Sequence, residues 1–404
     1  MSLGAAVLQW NNWQRIIEMY RHWLLLVAAI AAPAMLPPMA AKPVLVSQSS
    51  SVELHPVWNR VMEARITDVQ FSSTGRCIAV TTKENIVVID PGGRELWRWD
   101  FHKDNRYVFA EKVAVSPNCE WVAFVGGQGY HYVWIVHKQG RRISIKTEGT
   151  PLCLAITHAG SRVVIGTGTG ALLMMTSNGR RVWSREGGGF VPTQEISIAD
   201  NDSAIMISSL GQEILSIDGK TLWSDGGWGV GSMRAARDFK RFVAWGEPPH
   251  GPGIGSVRLL DGGGKVLWTR VATDPSAIIS PTGDSIIVHT NENQDPSEAD
   301  GFSPLREQLP GALRLLSRTG DIVRTYSAPG SPVVFSSDGR KFVLHQDNGF
   351  LALDFNENSV WVIQKSGYPL FAATPDLHSI VLADGNSLEW YSPPLQTGIS
   401  GRQR

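Results

Sequence analysis

The chain has 404 residues, with 37 Lys and Arg against 37 Asp and Glu, so its formal net charge is zero. That balance argues against a nucleic-acid binder, which needs a basic face to displace counterions, and against a disordered chain of one charge sign. Three cysteines exclude a disulfide framework, and a length beyond one ordinary core of about 100–200 residues leaves two domains, one large barrel or a repeat array.

In chain order, the first feature is the apolar run Trp23-Leu-Leu-Leu-Val-Ala-Ala-Ile-Ala-Ala32, preceded by Arg15, Arg21 and His22 and followed by Ala32-Pro33-Ala34. A charged region, a short apolar region and a small-x-small site describe a cleavable secretory signal. Pro33, Pro37 and Pro38 interrupt the stretch and Lys42 ends it, so it falls short of the about 20 apolar residues of a membrane helix. An uncleaved anchor over 23–41 and a buried helix remain the alternatives. Either export route places the rest of the chain outside the cytoplasm, in the periplasm or the extracellular space. Met19 makes a more typical signal start than Met1. The expected organisation is a signal or anchor over 1–41, a linker over 42–51, a repeat domain over 52–392 and a disordered tail over 393–404.

From residue 58 onward two signals recur. One is a polar turn followed by a β-rich run: Ser72-Ser-Thr-Gly75, Ser116-Pro-Asn118, Thr157-His-Ala-Gly160, Ser280-Pro-Thr-Gly283, Ser336-Ser-Asp-Gly339 and Thr374-Pro-Asp376. The other is Gly-x-x-x-Trp, from Gly93 to Trp97, Gly179 to Trp183, Gly219 to Trp223 and Gly264 to Trp268, with degenerate copies ending at Trp58, Ser144, Arg324 and Trp361. Together they mark eight units of about 40–45 residues, the period of a four-stranded propeller blade. One unit reads as inner strand a at 66–71, b at 78–82, c at 86–90 and outer strand d at 96–100. The Trp on strand d is expected to cover the joint between blades, burying on the order of 200 Å².

The last unit has a at 370–373, b at 379–382 and c at 387–391, and Pro393-Pro394 then stops it without a strand d. The spare pattern Pro56-Val-Trp58-Asn-Arg-Val61 matches Val266-Leu-Trp268-Thr-Arg-Val271. The fold class is therefore expected to be all-β, an eight-bladed propeller of four-stranded antiparallel blades, with residues about 52–62 supplying the missing strand. Closure of this kind removes two open sheet edges.

With these motifs, residues 52–392 resemble the eight-bladed quinoprotein-like propellers, namely the quinoprotein alcohol dehydrogenases and the propeller lipoprotein of outer-membrane β-barrel assembly; the turn-plus-strand signal is shared with WD-repeat propellers. The dehydrogenase resemblance implies pyrroloquinoline quinone at the axis, between a Trp and an adjacent Cys pair, with calcium. This sequence has no Cys-Cys, so no cofactor is expected. Cys77, Cys119 and Cys153 read as buried small apolar residues rather than as a disulfide plus an odd thiol. The lipoprotein resemblance implies a cell-envelope role, but no Cys lies near the cleavage region.

Other chemistry is thin. The carboxylates Asp295, Glu298 and Asp300 read as a solvated acidic loop rather than a calcium site, so no metal is expected. Gly166-Thr-Gly-Thr-Gly170 and Gly187-Gly-Gly189 read as tight turns, because no helix follows to bind an anion. The informative signal is loop length. The long segments 101–111, 186–193, 224–232, 247–254 and 291–311 are all d–a or b–c connections, which open on one face of a propeller. Long loops on a rigid scaffold are where function concentrates. Trp228, His250, Phe302 and Arg306 are the candidate partner-binding residues on that face, and the long loops carry Phe101, His102, Tyr107 and Phe190 elsewhere. The expected function is a non-catalytic, exported or membrane-tethered scaffold that binds protein in the cell envelope. The alternative is a hydrolase or lyase at the axial funnel, which converging ionisable side chains would announce.

Overall fold

The computed structural model describes residues 51–101, 110–126, 131–187, 192–209, 211–224, 231–246, 254–273, 275–290, 313–326, 330–355 and 359–393. They form eight four-stranded antiparallel blades arranged in a ring. Blade 1 is Ile66–Phe71, Ile78–Thr82, Asn85–Ile89 and Glu95–Asp100, within one residue of the boundaries expected from the sequence. Blades 2 to 7 follow over 110–146, 151–185, 195–224, 231–273, 276–326 and 331–364, and blade 8 over 370–391. Strands b and c of blade 1 are buried at every position. Each is covered on both faces by neighbouring blades, which is why such strands read as continuous apolar runs rather than alternating ones.

The core is divided among eight apolar clusters, each at the joint between two consecutive blades, including the joint from blade 8 back to blade 1. The a–b turns explain the first recurring signal. In six blades the leading hydroxyl is buried and accepts the N–H of the residue five positions on. Trp121 N donates to Ser116 Oγ at 2.9 Å, and Ser379 N to Thr374 Oγ1 at 3.0 Å. Blades 4 and 5 begin this turn with Ala199 and Ala236, so the pattern is missing there. The fourth turn residue has positive φ whether or not it is glycine: Cys119, Asp202, Phe239 and Leu377 take the place that Gly75 and Gly160 occupy elsewhere.

The Gly-x-x-x-Trp signal is an interlock between blades. In blades 1, 4, 5 and 6 the c–d turn glycine has positive φ and faces the strand-d Trp of the preceding blade. A Cβ on Gly219 would lie 2.9 Å from Trp183, one on Gly93 3.1 Å from Trp58, one on Gly320 3.0 Å from Trp268, and one on Gly264 would overlap Trp223. The indole N–H donates to the same turn, Trp183 Nε1 to Ile217 O at 2.9 Å and Trp268 Nε1 to Arg318 O at 3.0 Å.

The ring closes as the sequence led us to expect. Trp58–Val61 pairs antiparallel with Ser387–Tyr391, Trp58 opposite Trp390, as the outer strand of blade 8. The strand is shorter than the 52–62 expected, because the chain preceding it has another partner. Val52–Glu53 pairs parallel with Trp361 and Val362, adding a fifth strand to blade 7. Leu54 N continues the contact to Val362 O at 2.8 Å. Trp361 is buried beneath this strand, whereas Trp97, Trp183, Trp223 and Trp268 are half-buried.

The cysteine reading needs correction. All three cysteines are buried, but Cys77 and Cys119 form a disulfide, with Cα atoms 6.2 Å apart. The two lie 42 residues apart, one repeat, beside the a–b turns of blades 1 and 2, and stacking the repeats brings them together. Cys153 is free.

Candidate functional site

Strand a of each blade lines the axis. In blades 1, 2 and 3 this strand carries a register shift at the same place, between Ile66 and Asp68, Ala110 and Lys112, and Pro151 and Cys153. A bulge leaves one residue unpaired and re-aims the next. Here the re-aimed residues are Asp68, Lys112 and Cys153, and all three line one axial cavity of about 610 Å³. Glu195 joins them from the start of strand a in blade 4, and Phe71, Leu154 and Phe371 supply apolar wall.

Val113 N donates to Asp68 Oδ2 at 2.9 Å, tying the carboxylate of blade 1 to the backbone of blade 2. Burial raises the Asp68 pKa above the ordinary carboxylate value, and the nearby Lys112 charge offsets part of that rise. Glu195 forms an ion pair with Arg234 of blade 5. Burial pushes the Cys153 thiol up to about 12, with the Glu195 charge adding to the effect, so it is not a thiolate nucleophile at neutral pH. The thiol donates to Thr193 O at 3.4 Å.

The cavity adjoins a second one of about 370 Å³ at the mouth on the d–a and b–c side. Consecutive residues of the same strands, Thr67 and Asp68, Glu111 and Lys112, line one and then the other. Arg65, Lys83, Asp384 and Tyr368 stand at this mouth, and Tyr368 is 91% exposed.

The residues singled out by loop length, Trp228, His250, Phe302 and Arg306, lie outside the described residues, as do His102, Tyr107, Phe190 and the acidic loop from Asp295 to Asp300. Phe101 does not belong to a binding face. It is fully buried in the joint between blades 1 and 2, stacked on Phe124 at 5.4 Å. The segment Gly168–Gly170 is a tight b–c turn, with Gly170 N donating to Thr167 O at 3.0 Å. The axial residues escaped the sequence because a bulge breaks the two-residue alternation that would show which side chains face inward.

Among the described residues no group of three or more His, Cys, Asp or Glu is placed to hold a metal ion. Among the described residues the cavity wall offers neither a Trp nor an adjacent Cys pair, so these residues do not fit the quinone cofactor that the dehydrogenase resemblance implies.

No protein-family model and no curated protein matches the chain. Among solved structures, the Dos1 propeller is similar over 85% of this chain and 96% of its own, with a TM-score of 0.62 and 11% sequence identity. At that identity the likeness shows the fold alone.

Proposed function

We propose that the protein is a non-catalytic, exported or membrane-tethered propeller that works as a protein-binding scaffold in the cell envelope, and that its Gly-x-x-x-Trp repeat reflects kinship with the quinoprotein-like propellers. The observation that carries the binding reading is an apolar rim. The residue preceding the strand-d Trp, or Arg324, sits opposite a register shift in blades 1, 3, 4, 5 and 6. Its side chain is thereby turned outward: Leu96, Val182, Leu222, Leu267 and Val323 are all exposed. Single exposed apolar residues need no explanation, but a row of them around one edge suits a partner surface. In blade 7 the equivalent Val360 is partly buried in the joint with blade 8, on the strand that the chain's own N-terminal segment joins. The Cys77–Cys119 disulfide supports export, since such bonds persist in oxidising compartments.

Crosslinking and co-purification test the binding reading. Asp substitutions at Leu222, Leu267 and Val323 are expected to release partners held on the rim. Trp228→Ala and Arg306→Ala are expected to release those held on the d–a and b–c loop face. Partners retained by both sets of variants would remove the scaffold reading. Export predicts a mature terminus near Met35 or Lys42, read by N-terminal sequencing of native protein. A cytosolic protein that retains Met1 would overturn it.

A second reading, an enzyme at the axial funnel, is favoured by the convergence of Asp68, Lys112 and Glu195. Cys153, however, is held as a thiol there and Glu195 is tied to Arg234.

A further inference from the structure

The axial cavity contains two opposite charges that feel each other's field but form no salt bridge. Asp68 and Lys112 occupy the same bulge position on neighbouring blades and both line the cavity. Among the described residues they do not form an ion pair with each other, and the Lys112 ammonium makes no hydrogen bond. Asp68 accepts backbone N–H groups, but no cation is bonded to it. The third charge, Glu195, differs because Arg234 neutralises it. Beside the pair lies apolar wall from Phe71, Leu154 and Phe371, and Phe371 is held in place by stacking on Phe350. The volume of about 610 Å³ falls within the range of small-molecule sites, and Gln70, Ser72, Ser73 and Gln194 make the rest of the wall as polar as it is apolar.

From this juxtaposition we propose that the axial cavity is a binding site for a small zwitterion of the α-amino-acid type with an apolar side chain. Its carboxylate meets Lys112, its ammonium meets Asp68, and its apolar body lies against Phe71, Leu154 and Phe371. Charge-assisted contacts of this kind are the strong ones. A ligand with only one of the two charges forgoes one of the two charge-assisted contacts, which makes the site prefer carriers of both. Asp68 has a specific place in this arrangement. An asparagine could accept the same Val113 N–H, but only a carboxylate also attracts an ammonium. The site is independent of the scaffold reading: the cavity and the outer rim are separate surfaces, and either can fail to bind without the other.

Calorimetric titration of the full chain decides it, with three probes that share one ring: L-phenylalanine, phenethylamine carrying only the ammonium, and 3-phenylpropionate carrying only the carboxylate. L-Phenylalanine is expected to bind saturably with one site per chain, and each analogue about tenfold or more weaker. Lys112→Met is expected to reduce L-phenylalanine to the affinity of phenethylamine, and Asp68→Asn to that of 3-phenylpropionate. Lys112→Arg, which keeps the charge, should retain most of the binding. Melting temperatures confirm that each variant is folded, and the three probes against the unmodified protein settle the matter even if a variant does not fold. Absence of saturable heat with L-phenylalanine at millimolar concentration overturns the proposal. So do analogues that bind as tightly as L-phenylalanine, or an unchanged affinity in folded Lys112→Met.

Discussion

A c–d turn glycine can have two reasons to be glycine, and the two can be separated. Gly140 and Gly219 have nearly the same φ, +85° and +82°, but a Cβ on Gly140 meets nothing within 4 Å whereas one on Gly219 meets the Trp183 ring. Gly140→Ala should therefore lose only the backbone preference, about 1–2 kcal/mol. Gly219→Ala should lose about 1–3 kcal/mol more, the usual range for overpacking. Urea denaturation of both variants reads the difference, and adding Trp183→Leu to Gly219→Ala should recover part of it. Asp68 gives a residue-scale prediction in pH. Its folded pKa is raised by burial, so the native state binds a proton more readily than the unfolded chain does. The stability it contributes is full below the unfolded value of about 3.9 and is lost as pH rises through the folded value. Asp68→Asn should accordingly melt higher than the parent at pH 7, and the gap should close as pH falls below about 4. A gap that is the same at both pH values would show that the carboxylate is ionised without penalty.

At the scale of strands, the parts legible in the sequence were the periodic and local ones. The Ser/Thr at the head of an a–b turn and the Gly before a strand-d Trp act within a few residues or repeat at fixed intervals, so they announce themselves. The closing strand at Trp58 was found because it matched the repeat. The clasp at Val52–Glu53 was not: two residues carry no periodicity, and the pairing is set by where the chain must pass on its way to blade 8. The axial site was hidden for a related reason. Three bulges bring Asp68, Lys112 and Cys153 to the axial cavity out of step with simple alternation, and the disulfide depends on how two repeats stack. A truncation series separates clasp from closing strand. Relative to a chain beginning at Ser51, removal of 51–54 should uncover Trp361 and lower the melting temperature modestly. Removal of 51–62 should also delete Trp58 and open the ring. Loss of the half-buried Trp58 costs part of the about 3–5 kcal/mol of a fully buried aromatic, out of a total of about 5–15 kcal/mol. Equal melting temperatures for the two truncations would show that strand d of blade 8 is dispensable.

Across the whole molecule, the disulfide and the closing strand fasten the ring at different places. The disulfide closes a 42-residue loop, for which the chain-entropy estimate is about 4 kcal/mol. Cys77→Ala with Cys119→Ala should lower the denaturation midpoint by that order, and reductant should have the same effect on the parent and none on the variant. The closing strand has a consequence in time rather than in energy. Asn386 Nδ2 reaches Met62 O across a sequence separation of 324 residues, and Trp58 has no partner strand until 387–391 exist. Synthesis delivers the closing strand first and its partner last. Blades 1 to 7 can stack in the order in which they are made, but Trp58 must wait, exposed, through nearly the whole of translation. Contacts of such separation form slowly, and unpaired edges invite misassembly meanwhile. A nascent chain of this protein has its greatest need of a chaperone at its own beginning, and a circular permutant that moves 52–62 behind Tyr391 should refold faster to the same ring.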